Sequence, residues 1–299
     1  MTLTLEEAIG RVPYWRAAKA IKTTPLGGGI TNRNYRVDVD GESFVLRIVG
    51  ARTEMLGINR DDEYSANLTA GKLGIAPEVI YFIQPEGYLV TRFIPGRPIP
   101  PDEIRQPENI HKVATILQRI HQMPPITGKF DAFRIVENYT QIARKYQVSF
   151  PANFDGLISE MNRAEKALLR RPYTPTPCHN DLLNENFLLQ DSKIYLLDWE
   201  YAGMGDIYFD LANFSVNHSL TDEQDRWLLH CYFGEVNDAR WARLKIMKIM
   251  SDFREAMWGM VQIGISDLEF DFRGYADKHF SRLTKNIQNP LWGKWLKEI

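Results

Sequence analysis

The residues best suited to chemistry lie in Cys178-His-Asn-Asp-Leu-Leu-Asn-Glu-Asn186 and, ten residues on, Leu196-Leu-Asp-Trp-Glu200. Phosphoryl transfer asks little covalent work of a protein. It needs a group that orients and deprotonates the attacking hydroxyl, and oxygen ligands that hold Mg²⁺ on the phosphates. Asp181 suits the first task. Asn186 and Asp198 suit the second, because Mg²⁺ prefers hard oxygen ligands. Between them an apolar run (187–189), a turn at Asp191-Ser-Lys193 and a second apolar run (194–197) predict a strand–turn–strand that brings Asn186 and Asp198 together. A lone Asp–Asn pair reads equally well as a polar surface loop. The order His-x-Asp, Asn five residues on, a short hairpin, then apolar-apolar-Asp is far more specific.

The elements that must position these groups fall into two parts. Thr4 and Glu7 have capping-box spacing, and Leu5, Ala8, Ile9 and Val12 follow at helical intervals. A glycine turn at Leu26-Gly-Gly-Gly-Ile-Thr-Asn32 separates two strand-like runs, the second over 34–39. Asp40-Gly41 is a hairpin signal, and 43–49 reads as a strand with Val45, Arg47 and Val49 on one face. A helix is expected over 59–72, with Gly74 near its C-terminal end, and a hairpin over 79–82 and 88–93. Four prolines between Pro95 and Pro101 then break the pattern, so the boundary between a sheet-rich part (1–93) and a helical part (94–299) is placed there. Beyond it Ile110, Val113, Leu117 and Ile120 share a helical face. Further helices are expected over 153–171, 209–219, 222–233, 238–265 and 272–288. The tail from Leu291 to Leu296 is read as packing on the helical part or on a second subunit, the first being preferred.

The chemistry-bearing segments resemble the choline/ethanolamine kinases: His179-Asn-Asp-x4-Asn186, Leu197-Asp-Trp-Glu-Tyr201 and Phe209-Asp-Leu-Ala-Asn213. That family is similar to the aminoglycoside phosphotransferases and shares the bilobal, α+β, protein-kinase-like fold, with a small antiparallel-sheet N-lobe and a larger helical C-lobe. The resemblance implies ATP and Mg²⁺ as cofactors, Asp181 as catalytic base, Asn186 and Asp198 as metal ligands, Asp210 as support for the catalytic loop and His179 as an orienting residue. It also implies that Gly27, Gly28, Gly29, Thr31 and Asn32 belong to a loop covering the nucleotide. Glycine lets backbone approach phosphates closely. Arg47, in Val45-Leu-Arg-Ile48, matches the basic residue that meets the phosphates from the third strand, and Glu63 matches its helix partner. Thr91 and Phe93 fall at the hinge beside the adenine.

Seven acids and one lysine lie between Asp181 and Asp210. Those not bound to metal, Glu200 among them, favour a cationic acceptor. A quaternary ammonium donates no strong hydrogen bond, and proteins hold it with aromatic faces and carboxylates. By the resemblance, Trp258 and Tyr275 match positions of an aromatic cage. Two departures stand out. Asn217 occupies a position where the family places an acid, and Glu255 one where it places a tryptophan, so Glu255 is a candidate replacement carboxylate. Choline, ethanolamine, thiamine, another amino alcohol and an aminoglycoside stay open as acceptors, and a non-catalytic nucleotide-binding module is the contrasting class. Protein kinase activity is disfavoured by the lack of Asp-Phe-Gly and Ala-Pro-Glu segments.

The 299 residues carry 44% hydrophobic and 25% charged side chains, enough for a sizeable core. A net charge of −2 without a basic block argues against a nucleic-acid partner. Two cysteines are too few for a disulfide framework. With no basic, apolar leader and no run of apolar residues long enough to span a bilayer, a cytoplasmic protein is expected, as monomer or homodimer.

Overall fold

The computed structural model describes residues 3–27 and 32–299. Helix α1 (Leu5–Arg11) starts at the expected capping box, with Thr4 and Glu7 satisfying each other's backbone N–H groups. Strands β1 (Ile21–Leu26), β2 (Arg33–Val39) and β3 (Glu42–Ile48) follow, then helix α2 (Arg60–Lys72), β4 (Val79–Ile83) and β5 (Tyr88–Arg92). They form one antiparallel sheet in the order β1-β2-β3-β5-β4. Arg47 lies mid-sheet, opposite Asn34 on β2 and Leu89 on β5.

Period two along β3 decides what faces where. Phe44, Leu46 and Ile48 enter a small core with Val37, Tyr88, Val90 and Trp15. Arg47 points to the other face. Helix α2 is capped by Asn59, whose side chain accepts from the N–H groups of Asp61 and Asp62. It ends at Gly74, whose φ of 66° is the left-handed conformation that glycine adopts without strain. Its buried face is Glu63, Ala66, Asn67 and Ala70. Ala66 and Ala70 pack into the large helical core, not into the sheet's core.

Past the proline segment come β6 (Arg97–Pro98), α3 (Pro101–Ile104), α4 (Pro107–His121), α5 (Ala132–Lys145), α6 (Phe154–Leu168) and β7 (Thr176–Cys178). The hairpin β8 (Phe187–Gln190) and β9 (Lys193–Leu196) has the expected turn, and β6 pairs with its outer edge. Strand β10 (Gly203–Gly205) pairs with β7. Helices α7 (Ile207–Asn217), α8 (Asp222–Phe233), α9 (Asp238–Ile265), α10 (Phe272–Ile287) and α11 (Trp292–Glu298) complete the fold.

Helix α9 is the axis of this part: Ile246, Met250, Phe253, Met257 and Val261 are all in the core. A helix buried all round is normally apolar, yet α9 also buries Ser251, Asp252, Arg254 and Glu255. The tail packs within the chain. Trp292, Trp295 and Leu296 enter the large core, and the Trp292 indole N–H donates to Glu160. Helix α5 was not among the sequence expectations. Asp131 caps it, and Phe133, Val136, Tyr139, Thr140 and Ala143 form its buried stripe. No helix among the described residues is long and apolar enough to cross a membrane.

Candidate active site

The loop between β7 and β8 carries His179, Asn180, Asp181 and Asn186. Its shape depends on Asp210 at the start of α7. One Asp210 oxygen accepts from the Asn180 N–H at 2.6 Å. The other accepts from the His179 N–H at 2.9 Å and lies 3.0 Å from His121 Nε2. Asn180 needs this support, because its φ of 65° is left-handed and such a backbone costs roughly 1–3 kcal/mol in a non-glycine residue. Its side chain adds a hydrogen bond to the Tyr201 carbonyl at 3.1 Å. One turn along α7, Asn213 accepts the N–H of Leu182 at 2.6 Å. Four consecutive loop residues, 179–182, are thus set by α7 and by the loop itself.

His179 is fully buried. Its Nε2 lies 2.9 Å from the Leu197 carbonyl, so Nε2 carries the proton. Its Nδ1 then accepts the Asp181 N–H at 3.3 Å. Burial lowers its pKa, against the pull of Asp210. A neutral imidazole with both nitrogens engaged ties the loop to the strand end before Asp198. That is an orienting arrangement and leaves no lone pair for a substrate.

The expected hairpin brings the candidate metal ligands together: the Leu197 N–H donates to the Asn186 carbonyl at 2.9 Å. The Asn186 amide N–H₂ donates to the Asp181 carbonyl at 2.8 Å, which leaves its amide oxygen for a cation. Asp198 also adopts a left-handed backbone, at φ 58°, and its side chain is about one-quarter exposed.

Arg47 arrives from the sheet. It pairs with Glu63 and, at 2.6 Å, with Asp198. Glu63 is also held by Arg60 at 2.6 Å. Arg60 in turn reaches Glu200 at 3.1 Å, and Glu200 accepts from the Asn32 side chain at 3.0 Å. An alternating chain of charges thus joins β3, α2, the strand end and the residue that closes the glycine turn. Burial and the neighbouring Asp198 raise the pKa of Glu200, while Arg60, Arg47 and Asn32 oppose them. This ties Glu200 to the glycine-turn side of the site. Gly27 is exposed; Gly28, Gly29 and Thr31 lie outside the described residues. Thr91 and Phe93 are half-buried at the end of β5. The Phe93 N–H is taken up by the Ser43 carbonyl at 3.0 Å.

On the far side of Asp181 stands Arg254 of α9, a residue the sequence did not flag. Its guanidinium lies 3.2 Å from Asp181 and 2.6 Å from Glu255, 4.1 Å over the Tyr201 ring. Glu255 also accepts from Asn213 at 3.3 Å and from the Tyr275 hydroxyl at 2.8 Å. Burial opposes its charge, but Arg254, His279 and Tyr275 together outweigh burial and hold it below the usual range. Three donors therefore occupy the carboxylate expected to stand free for an ammonium group. Asp181 behaves otherwise. Burial pushes it up to about 8, and Glu255, Asp198 and Glu200 push the same way. Arg254, shared with Glu255, offsets only part of this. Beyond Glu255, Trp258 and Tyr275 meet edge to face, centroids 5.4 Å apart. Asn217, at the end of α7, reaches the Leu182 carbonyl at 3.5 Å.

His121, Cys178 and Asp210 lie close enough together to suggest a metal. Both Asp210 oxygens and His121 Nε2 are, however, engaged with one another or with the loop, and His121 Nδ1 lies 2.6 Å from the Tyr232 hydroxyl. This cluster is a hydrogen-bonded strut beneath the loop.

A five-stranded sheet carrying an Arg–Glu pair, set over a helical part whose loop presents Asp, Asn and a hairpin-borne Asp, defines a protein-kinase-like phosphotransferase. The choline/ethanolamine kinase family model matches residues 23–231. A crystal structure of a choline/ethanolamine kinase family protein from Mesorhizobium loti is 30% identical. It covers 98% of each chain with a TM-score of 0.84. Protein LicA of Haemophilus influenzae is 29% identical over 87% of this chain and 78% of its own. Mouse ethanolamine kinase 2 is 26% identical over 91% and 78%. The chain belongs to the choline/ethanolamine kinase family and is a small-molecule kinase.

Proposed function

We propose that the protein transfers the γ-phosphoryl group of ATP to the hydroxyl of choline or a closely related amino alcohol, with 1–93 as the nucleotide-binding lobe and 94–299 as the catalytic and acceptor-binding lobe. One observation carries the reading: Asp181 is fixed beside Asn186 and Asp198, and Asp198 is bonded to the Arg47–Glu63 pair.

Asp181 orients the acceptor hydroxyl and takes its proton as the bond to phosphorus forms. Its raised pKa suits it to hold that proton. Arg47 neutralises phosphate charge, and Glu63 and Arg60 hold Arg47 in place. Asn186 and Asp198 form a hard-oxygen donor set that fits Mg²⁺. Bound there, the ion would neutralise charge on the phosphate oxygens. Asn32, anchored to Glu200, fixes the end of the glycine turn over the nucleotide.

The acceptor's hydroxyl is read as meeting Asp181 and its ammonium as meeting the Trp258–Tyr275 pair, which stands beyond Arg254 and Glu255. Each cation–π contact is worth roughly 0.5–2 kcal/mol. Because Glu255 is occupied by Arg254, Asn213 and Tyr275, the aromatic faces supply most of the recognition, which favours a quaternary over a primary ammonium. ADP release from Mg-ATP, measured across choline, ethanolamine, thiamine and aminoglycosides, tests this. Choline giving the highest kcat/KM supports it. An aminoglycoside or ethanolamine preferred by tenfold or more overturns the choice of acceptor. No acceptor-dependent release overturns the reaction.

A further inference from the structure

A cavity of about 480 Å³ lies across α7 and α9 from the catalytic loop, walled by α8, α10 and α11. It contains none of the site residues above. Along α10 its Arg282 is seven residues past Tyr275, about 10 Å by helical rise. Its lining is unusually cationic: Arg226, Lys245, Lys248, Arg282 and Lys285.

The cations differ in how fully they are paired. Arg282 is taken up, gripping Asp252 through two nitrogens and donating to the Val216 carbonyl at 3.1 Å. Lys245 and Lys248 share the fully buried Asp225, at 3.4 and 2.6 Å, and Lys245 also reaches Asp222. An ammonium has three donors, and Lys248 makes one hydrogen bond among the described residues. Its side chain is only 14% exposed and lines the cavity, so its remaining donors are turned to whatever fills it. Arg226 lies 4.2 Å over the Trp241 ring. Neither Arg226 nor Lys285 has a carboxylate within 4 Å among the described residues. Five cations face three carboxylates, Asp222, Asp225 and Asp252, leaving two positive charges uncompensated. Trp295, Leu220 and Leu291 supply an apolar side.

We infer that this cavity is a second binding site, for a small phosphate monoester that also carries an apolar or aromatic group. A phosphate dianion matches the excess of two charges. The spare ammonium donors and Arg226 suit its oxygens, and the volume is that of an ordinary small-molecule site. A quaternary ammonium alone would be repelled, so the ligand is not the acceptor of the first site.

The probe is phenyl phosphate, titrated into the full chain with excess Mg-ADP occupying the nucleotide site, read from the indole N–H resonances of Trp241 and Trp295. Assignment uses Trp241→Phe and Trp295→Phe. Saturable shifts of these two signals support the site if the double variant Arg226→Glu, Lys285→Glu weakens binding by about tenfold or more. Neither residue has a carboxylate partner to lose, so the variant gives up only the Arg226 contact with the Trp241 ring, and an unaltered melting midpoint verifies that it folds. Three results overturn the inference: no saturable shift up to about 10 mM, equal affinity in the double variant, or displacement of the probe by choline. None of these readouts depends on turnover, so the inference stands or falls apart from the proposed activity.

Discussion

Replacing Asp210 by Asn tests how the catalytic loop is held. The carboxylate receives two backbone N–H groups and His121 at 2.6–3.0 Å in a fully buried setting. An amide of the same shape keeps one oxygen and turns an N–H₂ toward at least one donor. Each buried group left unpaired costs about 1–3 kcal/mol, so Asp210→Asn should lose roughly 2–4 kcal/mol of stability. Asp210→Ala would orphan all three and threaten folding, since a domain's whole margin is about 5–15 kcal/mol. The catalytic effect should exceed the loss of stability. Asn180 would relax from its left-handed φ, and Asp181 is the next residue. A displacement near 1 Å costs about a hundredfold in rate. The assay is urea unfolding beside kcat and KM for both substrates at a temperature where the variant is folded. The expected result is kcat down about a hundredfold, with KM for ATP nearly unchanged because the Arg47–Glu63–Asp198 contacts are untouched. A folded Asp210→Asn with kcat within about twofold of wild type would refute this account of the loop.

Asp181 sits up to about 8 because of burial, and a base works only when ionised. Acceptor kcat/KM should therefore fall as pH drops through the neutral range, far above the ordinary aspartate value of about 3.9; a profile flat down to about pH 5 would contradict it. Arg254→Gln removes the cation that lowers this pKa, so the acid limb should move further up, and an unmoved limb would show that Arg254 does not act on Asp181. Asp198→Ala should weaken Mg-ATP binding by about tenfold or more, read by titration calorimetry; unchanged affinity would deny it a metal role. His218 is buried neutral between Phe187 and Phe214, its pKa lowered to about 4 by burial. A histidine depressed on folding gives stability that is complete above about pH 6.5 and lost as pH falls toward 4, up to roughly 3 kcal/mol. His218→Phe should flatten that part of the stability–pH curve, and an unchanged slope would place the loss elsewhere.

The parts most legible in the sequence were those whose chemistry is local. The Thr4–Glu7 capping box, the Asp40-Gly41 turn and the hairpin between Asn186 and Asp198 each rest on a few adjacent residues, and each formed as read. Arg47 and Glu63 were named through the resemblance, which matched Val45-Leu-Arg-Ile48 and a helix glutamate; neither stands out in its own segment, since α2 is polar along most of its length. Arg60, His121 and Arg254 were missed because their partners are far off in sequence: Glu200, Asp210 and Asp181. The available signal was Asp252, Arg254 and Glu255 close together in a long helix otherwise rich in Ile, Met, Phe and Trp. Helix α5 was missed although Asp131 precedes a stripe at helical spacing. Glu200 was grouped with the acceptor by composition alone, whereas its bonds run to Asn32 and Arg60.

The most direct test of Asp181 as the base is choline-dependent ADP release by wild type and Asp181→Ala, with Mg-ATP affinity measured on the same preparations. Loss of at least about a thousandfold in kcat, with Mg-ATP affinity within about twofold, is the result predicted here. Turnover within tenfold of wild type would contradict it and move the base to another residue.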